Sequence, residues 1–343
     1  MNTNIIDSCL EDLVVSPQDR RNIFIINPRS FATKRKEQRM LALLTEIHEY
    51  FAEHGGNYSI FRSLYPRNAI YIIQNYVKAV PEDVQVRVYA VGGDGILYDC
   101  INGVAGLRNC EIAAMPFGNT NDFVLAFGNG HDDLFRSVKK QVEAETVPTD
   151  VIKLDGQYAI NFIAAGIEAE CVFYLENLRR WLEGNLRLPS FIYPLMFMLG
   201  ALVALFRRDV RDQYYQVELD DGRIVSGRGL GLNIGNGPVH GGNKASQLIA
   251  MPNDGELNLI FLKNNGIIGG LIRADGYTRG AAYKGSPHYI TTKLRTAHIW
   301  SNRHLIINMD GESYIAREAF VEILPNFVNV VAPDGLTYCK RMI

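Results

Sequence analysis

The sequence predicts an α/β N-terminal domain with a parallel sheet, then a mostly antiparallel β domain of sandwich type with an inserted apolar helix. Three observations carry this. Up to about Pro148, apolar strands alternate with amphipathic helices. Beyond it, Asp-Gly turns separate short strand-like runs. Within that second half, Leu188 to Phe206 holds no charged residue over 19 positions.

Asn22 to Ile26 is the first apolar strand, and it runs into Asn27-Pro28-Arg29-Ser30-Phe31. Met40, Leu43, Leu44, Ile47 and Phe51 then recur at helical spacing, with Gly55-Gly56 as the stop. Tyr58 to Leu64 reads as a strand, and Asn68 as the cap of a helix that shows Ile70, Ile73 and Val77 on one face. After Pro81, Val84, Val86, Val88 and Ala90 alternate along a strand that ends in Gly92-Gly93-Asp94-Gly95, with a helix from Ile96 to Val104. Ile112 to Met115 ends in Pro116-Phe117-Gly118-Asn119-Thr120-Asn121-Asp122. A parallel sheet gathers such loops at the carboxyl ends of its strands, where ligands bind. Glycines there let backbone approach a ligand closely, and the free N–H groups of a helix start favour phosphate.

In the second half, Val151–Leu154 and Tyr158–Ala164 flank Asp155-Gly156-Gln157, and Tyr215–Leu219 and a strand from Ile224 flank Asp220-Asp221-Gly222. Both are hairpin signals. Further strands are expected at Leu257–Leu262, His298–Trp300, Leu305–Asn308 and Phe320–Leu324, with His298 and His304 flanking a hairpin. Pro189 and Pro194 confine the apolar helix to Leu195–Phe206. That is about 18 Å, against the roughly 30 Å of a bilayer core. It reads as a buried core helix or one lining an apolar lipid cleft. The expected division is a tail over 1–20, the α/β domain over 21–148, the β domain over 149–327, and a C-terminal strand within 328–343, whose return to the first domain the sequence leaves open.

With 47% hydrophobic and 21% charged residues, the 343-residue chain can bury two sizeable cores. A net charge of -2 gives no footing for nucleic acid. Five cysteines without C-x-x-C spacing read as reduced thiols of a cytosolic protein, and Asp7, Glu11 and Asp12 speak against a signal peptide. Neither H-E-x-x-H nor G-x-S-x-G is present.

In order and spacing, Asn27-Pro28-x-Ser30, Gly92-Gly93-Asp94-Gly95, Asn102-Gly103, Pro116-x-Gly118-x-x-Asn121-Asp122, Asn253-Asp254-Gly255 and Asp310-Gly311-Glu312 form one set. Over about residues 21 to 335 the chain thereby resembles the diacylglycerol kinase catalytic family of bacterial soluble lipid kinases, related to sphingosine kinases and more distantly to NAD kinases. The resemblance implies ATP-dependent transfer of a γ-phosphoryl group to the hydroxyl of diacylglycerol, giving phosphatidic acid, at a membrane surface. It implies a cytoplasmic, membrane-peripheral protein compatible with a homodimer. It assigns nucleotide binding to Asn27, Pro28, Arg29, Ser30, Phe31, Ser63, Gly92, Gly93, Asp94, Gly95, Ile96, Asp99, Gly118, Asn119, Asn121 and Asp122. Asp94 would hold the Mg²⁺ of MgATP or orient the acceptor. Glu312 matches the proton acceptor, with Asp310 beside it on an extended segment whose i, i+2 side chains share a side. Paired carboxylates raise each other's pKa, which suits a base. Asp254, with the main-chain oxygens of Met251 and Glu256, matches a structural Mg²⁺ site.

The chain also departs from the family. Ile96 stands where members have Thr, Tyr98-Asp99 replaces Asn-Glu, Phe31 replaces Gly, and Gly118-Asn119 replaces Gly-Thr with Thr120 displaced by one. Losing a hydroxyl that bonds a charged phosphate costs roughly 1.5–3 kcal/mol. Two other readings therefore stand: a kinase for another lipid alcohol, such as a sphingoid base, and a non-catalytic lipid-binding protein. Lys34-Arg35-Lys36 and Arg207-Arg208 are either contacts to anionic head groups or a solvated face.

Overall fold

The structure, a computed structural model, describes residues 19–31, 33–183, 192–241, 247–264, 266–270, 277 and 279–339, with the side chains of 179–183 and 192–198 left out. The expected tail falls almost wholly outside these residues.

The first half alternates as its periodicity requires: β1 (Arg21–Ile26), α1 (Lys34–His54), β2 (Asn57–Arg62), α2 (Asn68–Lys78), β3 (Val86–Gly92), α3 (Asp94–Val104) and β4 (Cys110–Pro116). β1 pairs in parallel with β2 and β3, and β3 with β4. Successive strand residues go to opposite faces. Ile23, Ile25, Val88, Ala90 and Ile112 pack with α2 and α3. Phe24, Ile26, Tyr89, Val91 and Met115 pack with α1. Gly55 closes α1 with a φ of 74°. Asn68 does not cap α2: it is the first helical residue, and its Oδ1 accepts a bond from the Leu64 amide at 3.0 Å. Arg67 takes the cap position with left-handed backbone.

After the short helices α4 (Asp132–Arg136) and α5 (Val138–Glu143), the chain continues as β5 (Thr146–Leu154), β6 (Gln157–Ala159), β7 (Phe162–Gly166), α6 (Ile167–Glu183) and α7 (Ile192–Phe206). It then forms β8 (Tyr214–Leu219), β9 (Ile224–Gly235), β10 (Leu257–Lys263), β11 (Tyr289–Leu294), β12 (Thr296–Met309) and β13 (Glu312–Val331). Both Asp-Gly hairpins are present, as β5–β6 and β8–β9. The expected strand Tyr158–Ala164 is broken at Ile160-Asn161, because the amides there turn toward a carboxylate described below. His298 and His304 flank no hairpin; both lie on β12, whose register shifts between Trp300 and Leu305.

The β region differs from two separate sheets of a sandwich. β7 and β8 each pair with both β9 and β12, which closes a ring of hydrogen-bonded strands around an apolar core. β13 carries the network back to the first half, with Asn329 and Val330 beside Glu111 and Ile112 of β4. The divisions at 148/149 and 327/328 thus fall inside β5 and β13. One sheet order runs through both halves.

α7 starts at Ile192, three residues ahead of the expected start, so Pro194 sits in its first turn, where no helical N–H partner is lost. Leu188 and Pro189 lie outside the described residues. Ala204 is buried beside Cys171 and Val210, while Leu199, Val203 and Phe206 are exposed. No helix among the described residues is long and apolar enough to cross a membrane.

Candidate active site

The three loops at the strand ends meet. The Phe117 and Gly118 amides both donate to the Gly92 carbonyl, at 2.8 and 2.9 Å. Gly118 lies so close to Gly93 that a Cβ on it would stand 2.3 Å from the Gly93 Cα. Asn121, with φ 52°, folds its side chain back onto Gly118, accepting from the amide at 2.9 Å. On the other side, Ser30 Oγ would stand 2.9 Å from a Cβ on Gly92. Asn27 Oδ1 accepts from the Arg29 amide, and the Ser63 amide donates to the Ile26 carbonyl. Asn27, Pro28, Arg29, Ser30, Ser63, Gly92, Gly93, Gly95, Gly118, Asn119, Asn121 and Asp122 therefore surround one strand-end groove.

Two expected members are buried. Phe31 packs against Phe117, with ring centroids 5.2 Å apart, and Ile96 belongs to the core beneath α3. The Ile96 side chain nonetheless borders the glycine loop, its Cγ2 standing 2.8 Å from where a Cβ on Gly92 would lie.

Asp94 opens α3 at the floor of the groove. Thr120 Oγ1 donates to its Oδ2 at 2.5 Å, and the amides of Asp122 and Phe123 reach it as well. Burial pushes its pKa up to about 6, and the neighbouring Asp122 charge adds to the rise.

The second half brings its own acids. Asp310 and Gly311 have φ of 47° and 98° and make the tight turn between β12 and β13. The extended Asp310–Glu312 segment expected from sequence is therefore absent, and the two side chains have different surroundings. Asp310 is buried, and the amides of Ile160, Asn161 and Phe162 donate to it at 2.7 to 3.2 Å. Burial pushes its pKa up to about 7 against the pull of these three donors, and the charge of Asp94 adds to the rise. Glu312 is half-exposed and lies 3.8 Å from Arg67 Nη2. Arg67 Nη1 in turn is 3.7 Å from Asp99, whose pKa rises to about 6 through burial, with Arg67 opposing and Glu312 adding.

Met251, Asp254 and Glu256 lie between β9 and β10, with an ammonium beside the two carboxylates. Lys293 Nζ is 3.4 Å from Asp254 Oδ2 and closer still to Glu256 Oε2. The other Asp254 oxygen accepts from the Glu256 amide, and the Met251 carbonyl from the Asp254 amide. An ammonium already balances the carboxylates, and among the described residues no group of three acid, His or Cys side chains suits a metal.

Sequence reasoning missed Arg67 and Gln157, and it read Lys36 as a head-group contact or a solvated face and not as a groove residue. Tyr98 Oη donates to Gln157 Oε1 at 2.7 Å, and Arg67 lies 4.5 Å above the Tyr98 ring. No local signal marks Arg67 or Gln157. Lys36 Nζ donates to Asn119 Oδ1 at 2.9 Å, which puts an ammonium on the rim of the groove. A signal existed there: three cations in the first turn of a helix oppose its dipole unless an anion comes to that end.

Known proteins share this plan. A Staphylococcus aureus (strain Mu3) protein named "Putative lipid kinase" is 24% identical over 269 residues, 77% of this chain and 81% of its own. The structure of "a putative diacylglycerol kinase from Bacillus anthracis str. Sterne" superposes with a TM-score of 0.70 at 19% identity, covering 96% of this chain and 100% of that one. A second Bacillus anthracis structure, described as a diacylglycerol kinase, gives 0.63 at 18% identity, covering 93% of this chain and 98% of that one. These likenesses show the fold. Residues 21–154 match the family model of the diacylglycerol kinase catalytic domain.

Proposed function

We propose that the protein is an ATP-dependent lipid kinase that phosphorylates the hydroxyl of diacylglycerol, giving phosphatidic acid. The observation that carries this reading is the bridge from α3 to the start of β13, in which Arg67 lies between Asp99 and Glu312. It sets a phosphate-suited groove beside a carboxylate from the far half of the chain. Asp94 and Asp122 are like charges in a shared, water-poor corner, the donor set that the Mg²⁺ accompanying ATP would relieve. That ion would neutralise charge on the polyphosphate. The glycine-loop amides and Lys36 would position the phosphates, and Glu312 would take the acceptor's proton. The acceptor oxygen bonds to the γ-phosphorus as the bond from that phosphorus to the β–γ bridging oxygen breaks, releasing ADP. Apolar Leu199, Leu202, Val203 and Phe206 on α7, near Arg207 and Arg208, would face the lipid surface.

Labelled ATP supplied to diacylglycerol in mixed micelles tests the reading. Glu312→Ala and Asp94→Ala should lose about 10²- to 10⁴-fold in rate. Full activity in both variants would refute the roles. A panel of lipid alcohols identifies the acceptor, and a preferred sphingoid base would displace diacylglycerol. The buried Ile96 and Phe31 favour a second reading, a lipid-binding chain without nucleotide chemistry. Titration with MgATP separates the two, since millimolar or tighter binding removes it.

A further inference from the structure

The side chain that joins the two halves of the groove belongs to none of the motifs. Arg67 holds left-handed backbone, φ 66°, a conformation that favours glycine over any residue with a Cβ. Both ends of it are held. The Asp99 carboxylate accepts the Arg67 backbone N–H at 3.1 Å and lies 3.7 Å from its guanidinium. The guanidinium rests on the Tyr98 ring, 4.5 Å from its centre, and donates to Gln157 at 3.3 Å. The same nitrogen, Nη2, lies 3.8 Å from Glu312. At 3.7 and 3.8 Å the two carboxylates are attracted to the cation without being locked to it by close hydrogen bonds.

Resting on the lipid-kinase reading, we propose that Arg67 is a positioning residue that holds Glu312 turned to the acceptor hydroxyl. Two carboxylates from different elements, Asp99 and Glu312, converge on this one half-buried cation, and without it like charges so placed repel each other. Of the groups that face Arg67, Asp99 and Tyr98 come from α3, Gln157 from β6 and Glu312 from β13, with Asp310 acting through Tyr98. Arg67 is the cation among them. Without it, repulsion from Asp99 would turn the Glu312 carboxylate away and the base would be misplaced.

The test uses the full chain with labelled ATP and micellar diacylglycerol. Arg67→Gly suits the backbone, so a purely structural role predicts no loss. We expect kcat at pH 7 to fall about 10- to 100-fold, with KM for MgATP within about threefold of the parent. Arg67→Lys keeps the charge and should recover part of kcat. Arg67→Gln, which keeps the stem and loses only charge, should show the same fall in kcat if the glycine variant melts early. An unchanged kcat in the uncharged variants overturns the inference while leaving the kinase reading intact. A parent chain that phosphorylates no lipid alcohol overturns that reading, and the inference with it.

Discussion

The Thr120 hydroxyl donates to Asp94 Oδ2 across 2.5 Å, tying the 116–122 loop to the first residue of α3. The displaced threonine thus does not simply replace a missing phosphate donor. Its hydroxyl favours the charged form of a carboxylate whose pKa is still pushed up to about 6 by burial and by Asp122.

A pH dependence follows. Mg²⁺ prefers the ionised carboxylate, so MgATP affinity should rise as pH climbs through about 6. Thr120→Val removes a hydrogen bond to a charged group, worth about 1.5–3 kcal/mol. The variant should bind MgATP about tenfold or more weakly at pH 6, with a smaller deficit at pH 8. Calorimetric titration at the two pH values checks this; equal deficits would detach Thr120 from Asp94 ionisation.

Gly118 is set by close approach rather than by special backbone angles. A methyl group there would meet the Gly93 Cα at 2.3 Å and Asn121 Oδ1 at 2.8 Å. One of these contacts is backbone, which cannot swing aside. Gly118→Ala should therefore cost about 1–3 kcal/mol or more and part the two loops. Thermal melts should show the loss, and MgATP titration should show weaker binding.

Much of this was legible in the chain. Strand alternation from Val86 to Gly92 and the glycine-rich ends of β3 and β4 are local signals, and they place the groove. The Asp-Gly hairpins were equally local. Arg67 was not legible, since its partners Asp99, Gln157 and Glu312 are brought to it only by tertiary packing. The two roles of Asp310 and Glu312 were also hidden: a turn with φ of 47° at Asp310 puts one carboxylate inside and leaves the other at the rim. Phe31 and Ile96 read as motif departures, whereas burial makes them core residues.

Asp99 gives a stability test with a defined sign. Its folded pKa, about 6, lies above the ordinary value of 3.8, so the native state binds the proton more tightly. The stability this contributes is fully present below about pH 4 and is lost as pH rises to about 6. Asp99→Asn keeps an acceptor for the Arg67 amide and cannot ionise. At pH 8 it should be more stable than the parent by up to roughly 2–3 kcal/mol, and near pH 4 the two should coincide. Urea melts at both pH values check this; a variant less stable at pH 8 would show that the Arg67 ion pair outweighs burial.

Lys293 provides the last test, because it stands where the family resemblance led us to expect a divalent ion. Its ammonium lies 3.4 Å from Asp254 and closer to Glu256, and the Glu256 bond raises its pKa. All three side chains are partly exposed, so solvent screens the pairing and its worth is at most about 1 kcal/mol. Lys293→Met should lower stability by no more than that. It also leaves two carboxylates facing each other without a cation, so millimolar Mg²⁺ should recover the loss in the variant. The parent's melting temperature should respond to neither Mg²⁺ nor chelator. A parent that is destabilised by chelator would restore the metal to Asp254 and give Lys293 a place at its edge.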